Sequence, residues 1–195
     1  MPNLMPFDEL NTFKAMVTEY KTEPLTLFER EQKREDILDY IEWLLIESYV
    51  YGNVQAMNDL GILDRDPADL VNQDRLREVV DKPIAGKTYH DRITEYLDDD
   101  NSTVEDFQRV AETDSTRIYN TGVVDGGKAS GIKGVMKQWH TMEDDRVRDA
   151  HVELDMKAVF LDEKFEVDGD SAMAPGGFSR PELNVNCRCE INLIY

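Results

Sequence analysis

The residues best equipped for chemistry stand near the end of this 195-residue chain, in "NVNCRC" and in "DDRVRDAHVELD" upstream of it. Cys187 and Cys189 are the only cysteines, and an extended backbone would point both to one side and Arg188 to the other. Two thiols side by side can reach one metal ion, and zinc takes Cys, His and carboxylate ligands. His151, with Asp144 or Asp155, would complete a four-ligand zinc set. Read as one helix, the upstream segment places Asp144, Arg148, His151 and Asp155 on one face, beside an apolar stripe of Val147, Ala150 and Leu154.

Three readings are open. Buried cysteines serve as small apolar residues, and a histidine beside Arg and Asp is commonly hydrogen-bonded structure, so a structural polar network is the main expectation. A metal site is the second. A redox pair is the third, since a Cys-x-Cys disulfide is strained and a reducing compartment opposes it. No catalytic residue is assigned. The chain lacks a Gly-x-Ser-x-Gly elbow, a P-loop, a His-Glu-x-x-His and a dinucleotide fingerprint. His90 and His140 have no evident partners and read as surface or boundary residues.

The elements that must hold these residues follow from periodicity and capping. Phe7 to Tyr20 is a first short helix, stopped before Pro24. Thr26 and Glu29 have capping-box spacing ahead of a long helix. Its stripe is Ile37, Ile41, Leu44, Leu45, Val50, Val54, Met57 and Leu60, with Gly61 as its stop. Gly52 inside it weakens the helix or admits a close neighbour. Asp66 and Pro67 announce a helix running to about Asp81. Gly86 opens a segment carrying Tyr89, Ile93 and Tyr96 or Leu97. Ser102 and Glu105 form a further capping box before Val104, Phe107, Ala111 and Ile118. "VVDGGKASGIKG" has too many glycines for a helix interior and reads as a loop or hairpin. Short elements follow: "VMKQWHT" and "AVFL" as strands, a Pro/Gly/Ser loop of about fifteen residues, and "NVNCRCEINLIY" as a closing strand. The expected fold is α+β, with a helical region over 1–125 and a compact α+β module with a short antiparallel sheet over 126–195.

Composition narrows the function classes. The net charge is −19, with 41 acidic against 22 basic side chains. Both halves are acidic, which disfavours tight sequence-independent DNA binding. No apolar run approaches the roughly 20 residues of a membrane span, and the first residues show no secretory pattern. Two cysteines in a chain of this length do not make a disulfide framework, which fits a reducing compartment.

The order of these elements resembles the C-terminal signature of the phage Mu F-like minor head proteins, also called phage head morphogenesis proteins. Trp139, then Asp144, Arg146, Val147, Arg148 and His151, then Asp162, Glu163 and Phe165, then Asn186, Cys187, Arg188 and Cys189 carry the likeness over about 50 residues. Weaker likeness extends over about another hundred residues upstream. Met156 stands where the family usually has glycine, which argues against a tight turn there. The resemblance implies a virion head protein that meets the portal protein or the major capsid protein, or both. It would assist head assembly, DNA packaging or DNA delivery, be made in the host cytoplasm, and touch the genome only indirectly. Some relatives carry fused toxin domains. The structural network expected on this basis comprises Trp139, Asp144, Arg146, Arg148, His151, Asp155, Asn186 and Arg188; the metal set comprises His151, Cys187, Cys189 and Asp144. The alternative function is a metal-dependent hydrolase built on that set. One geometric expectation follows: Cys187 or Cys189 touches His151 or Arg148.

Overall fold

The structure is a computed structural model that describes residues 7–62, 71–84 and 86–195. Among these, α1 (Phe7–Thr22) leads into α2 (Leu27–Asp59). Thr26 and Glu29 cap α2 reciprocally, as their spacing requires. At its other end Gly61 takes φ 66. Its N–H donates to Asn58 O, and that of Ile62 to Met57 O, closing the helix with a Schellman turn. The helix expected from Asp66 and Pro67 begins outside the described residues; α3 (Gln73–Val80) starts from an Asn72 cap. Then come α4 (Tyr89–Asp98), capped by Thr88 and Asp91, and α5 (Val104–Ala129). The capping box of α5 is Thr103 with Asp106, one residue beyond the expected Ser102 and Glu105.

The stripe of α2 is buried at Ile37, Ile41, Leu44, Leu45, Met57 and Leu60, but Val50 and Val54 are only half-buried. Over 33 residues the buried face rotates, and Ser48, Gly52, Asn53 and Ala56 come inward instead. The reason is α5, which runs beside α2 in the same direction. A Cβ on Gly52 would lie 2.1 Å from Tyr119 O, and one on Gly122 would lie 2.3 Å from Tyr49 O. The glycine-rich stretch expected to be a loop is helical over its first part, the last two turns of α5, and becomes a turn only after Ala129, where Gly131 and Gly134 take positive φ. At Gly122 the backbone of α2, and at Gly126 Ala56 Cβ together with Asn53, occupy the space a side chain would need, and this close packing offsets their poor helix propensity. Gly127 meets the sheet instead, where a Cβ would sit 2.7 Å from Leu193 Cδ1.

β1 (Met136–His140) lies between β2 (Ala158–Phe160) and β5 (Glu190–Ile194), antiparallel to both. A short helix α6 (Asp149–Val152) connects β1 to β2. The "DDRVRDAHVELD" segment is thus mostly turn, and Asp144 and Asp155 do not share a helical face with His151. A hairpin of β3 (Phe165–Val167) and β4 (Asp170–Ala172) turns at Asp168 and Gly169, both with positive φ, as a type I′ turn demands. Strand β5 begins at Glu190, so the cysteines sit in the segment leading into it rather than on the strand itself.

The architecture is α+β, with the helices mostly N-terminal. The boundary expected at 125/126 falls inside α5. One apolar cluster joins α1, the first half of α2, α3, α4 and the first half of α5. The other joins the ends of α2 and α5, through Ala56, Leu60, Tyr119, Val123 and Val124, to the sheet and the closing segment. The outer edge of β5 is not left bare. Ile191 N donates to Asn120 Oδ1 at 3.0 Å and Leu193 N to Asp59 Oδ2 at 2.8 Å, so α5 and α2 supply the acceptors.

Candidate functional site

The site lies where α6, β1 and the segment before β5 converge. Trp139 is fully buried on β1. Its carbonyl accepts from Met156 N at 2.8 Å, which folds the chain after α6 back onto the strand. Met156 adopts φ 60. The tight turn that a non-glycine residue argued against is therefore present, and Met156 carries its strain. Asp155 steadies the same return: its Oδ1 accepts from Thr141 N at 2.8 Å and from Thr141 Oγ1 at 3.0 Å.

This return places α6, and α6 places His151, which is buried. Trp139 meets the imidazole edge-on, with centroids 5.3 Å apart, and Phe178 lies against it at 6.0 Å. From the other direction, Asn184 shapes the approach of the cysteines. Its side chain accepts from Phe178 N at 3.0 Å and donates to Phe178 O at 2.7 Å, so it stands in for a missing strand partner. Its carbonyl then accepts from Cys187 N. Asn186 takes a left-handed φ of 56, and its N–H donates to Thr113 Oγ1 on α5 at 3.1 Å. This reversal turns Cys187 and Cys189 inward.

Both cysteines meet His151. Nδ1 lies 3.6 Å from Cys187 Sγ and 3.4 Å from Cys189 Sγ. The expectation of a contact by one cysteine is met by both. The three side chains are buried, with their ligand atoms within 4.8 Å of one another. Cys187 is drawn well below the ordinary thiol range by hydrogen bonding from Cys189 and then by His151, while its ionisation pushes Cys189 upward. Two thiols this close do not ionise independently.

The remaining members of the expected set lie around this centre rather than in it. Arg188 forms a two-pronged ion pair with Asp144, at 2.8 and 2.7 Å. That pairing holds the Asp144 carboxyl well below the usual carboxylate range. Arg146 also binds Asp144, at 3.3 Å, and its N–H donates to Asp144 Oδ1. Arg148 donates to Val185 O, tying α6 to the closing segment. Asp144 is not one of the three converging donors. Its oxygens face guanidinium groups, and the expected four-ligand set contracts to His151, Cys187 and Cys189.

Several residues that position the centre had no distinct sequence signal. Asn120 looks like an ordinary helix residue, yet its Nδ2 donates to Cys189 O at 3.0 Å while its Oδ1 accepts from Ile191 N. Asn184, Thr113 and Phe178 likewise act through contacts distant in sequence. A polar residue among Ile118, Tyr119 and Val123 on the buried side of a helix was the one available hint.

The family model described as Phage Mu protein F like protein matches residues 74–192, from α3 to the last strand. The chain belongs to the phage Mu protein F like family. It is also similar to a protein of Enterococcus faecalis (strain ATCC 700802 / V583) named NAD(+)--arginine ADP-ribosyltransferase EFV, at 28% identity over 152 residues. That similarity covers 62% of this chain and 31% of the relative, so the chain spans about a third of the length of that protein. No solved structure matches the chain.

Proposed function

We propose that this chain is a minor head protein of a phage, acting by protein contact in head morphogenesis at the portal or the inner head, and in DNA packaging or delivery. The family match across residues 74–192 carries this reading. The net charge of −19 supports contact with the portal protein or the major capsid protein over direct contact with the genome, because phosphate contacts release counterions only where lysines and arginines cluster. The helical part offers Leu27 and Phe28, 90% and 80% exposed at the start of α2, as apolar surface for such a contact. No described helix is long and apolar enough to cross a membrane. The site of action is the virion head, with synthesis and assembly in the host cytoplasm.

Sedimentation of assembly intermediates tests the proposal. The chain should co-purify with procapsids or with the portal, and mature particles should retain it in few copies. Complete absence from both would overturn it.

The competing reading is a metal-dependent hydrolase. It draws on the convergence of His151, Cys187 and Cys189, but the pairing of Asp144 with Arg188 removes the carboxylate that it assigned to the metal. Digestion assays with nucleic acid and cell-wall substrates in the presence of zinc should accordingly show no turnover above that of a His151→Ala variant.

A further inference from the structure

Three soft donors surround one point in the interior of the C-terminal part, at a spacing that selects among the ways they can interact. A tetrahedral ion with Zn–S of about 2.3 Å and Zn–N of about 2.0–2.1 Å sets N and S roughly 3.6 Å apart. His151 Nδ1 lies 3.6 and 3.4 Å from the two sulfurs. A thiol hydrogen bond spans a similar length, but Nδ1 has a single in-plane lone pair and can accept from one S–H only. One nitrogen 3.6 and 3.4 Å from two sulfurs matches the spacing that an ion between all three would set.

We infer that His151 Nδ1, Cys187 Sγ and Cys189 Sγ bind one zinc-class divalent ion, with a solvent molecule or small anion as the fourth ligand. The donor chemistry selects the metal: two thiolates and an imidazole suit zinc and exclude calcium or magnesium as the preferred ion. Among the described residues no further Cys, His, Asp or Glu stands with the three. The fourth position therefore falls to something from outside. One side of His151 is closed by Trp139 and Phe178. A recess of about 10 Å³ has His151 and Cys189 in its lining, together with Arg146, Arg148 and Arg188. That volume is about one water. Two thiolates cancel the charge of a divalent ion, so either a water or a small anion such as hydroxide or chloride can complete the set.

The ion fastens the chain as well as occupying a pocket. His151 and the cysteines are separated by 36 and 38 residues, and the intervening β2, hairpin and loop form a closure that ligand bonds would hold shut.

The test uses the unaltered chain, purified without chelator and then titrated with Zn(II) or Co(II). One zinc per chain is expected by elemental analysis. The cobalt form should show a thiolate-to-metal charge-transfer band with the intense visible bands of a tetrahedral site. Added azide or thiocyanate should shift those visible bands, since one ligand is exchangeable. Both thiols should resist a thiol reagent until a chelator is added. Cys189→Ser and His151→Ala should each lose the ion, while Asp144→Asn should keep it. Where a variant fails to fold, the cobalt spectrum and thiol protection of the unaltered chain decide the matter. A cobalt spectrum without thiolate bands, or thiols equally reactive with and without zinc, overturns the site. Visible bands indifferent to anions overturn the open fourth position.

Discussion

Gly52 and Gly122 face each other where α2 lies along α5, close enough that a Cβ on Gly52 would stand 3.0 Å from Gly122 Cα. No flexible side chain is available to yield, because the nearest atoms are backbone. Gly52→Ala and Gly122→Ala should each force the helices apart and cost about 1–3 kcal/mol or more, despite the better helix propensity of alanine. Thermal or urea unfolding checks the sign. A variant as stable as the parent would mean that the helices do not pack this closely.

Asn120 satisfies the Cys189 carbonyl and the Ile191 amide at once. Asn120→Leu keeps the bulk and removes both hydrogen bonds, leaving two buried backbone groups without partners at about 1–3 kcal/mol each. Hydrogen exchange at the Ile191 amide should accelerate in step with the loss of stability.

Asp114 is fully buried between Arg92 and Arg117, and Arg117 also donates to Val79 O at 3.0 Å. This triad joins α3, α4 and α5. Asp114→Ala leaves Arg117 buried and uncompensated, a loss of about 3–5 kcal/mol. Denaturant unfolding measures it.

Lys137 points inward from β1, where its ammonium donates to Leu161 O at 3.0 Å, and among the described residues no carboxylate forms an ion pair with it. Burial lowers its pKa to about 8. Below pH 8 the folded and unfolded states are both protonated, and folding bears the full cost of burying the charge. Between pH 8 and the ordinary lysine value of about 10.4 the unfolded chain binds more protons, so this group's contribution to stability rises with pH. Comparing the pH dependence of unfolding for the parent and Lys137→Met isolates the effect. The parent should gain relative to the variant from pH 7 to pH 10, and equal slopes would contradict the assignment.

Met156 holds a left-handed conformation with its side chain exposed. Met156→Gly removes the Cβ clash, though it also frees the unfolded chain. The first effect is worth about 1–2 kcal/mol and the second roughly 0.5–1, so a small net stabilisation is expected in a thermal melt.

What could be read from the sequence was local. The helix start at Thr26, the stop at Gly61 and the strands around Trp139 and Ile191 depend on neighbours within a few residues, through capping, turn chemistry and alternation. Cys187, Cys189 and His151 were recognisable as candidate partners because their side chains have a narrow range of chemistry. Which candidates meet was decided by the tertiary structure. Asp144 offered the same carboxylate as any ligand, but Arg188, placed by the inward turn of the cysteines, holds it away. The glycines after Val124 gave a loop signal because propensity counts their flexibility and cannot count the helix that fills the space of their missing side chains. Asn120 and Asp59 revealed nothing until β5 came to lie against them. Hydrogen bonds and close packing between residues far apart in sequence leave no periodic trace, and those contacts give this site its shape.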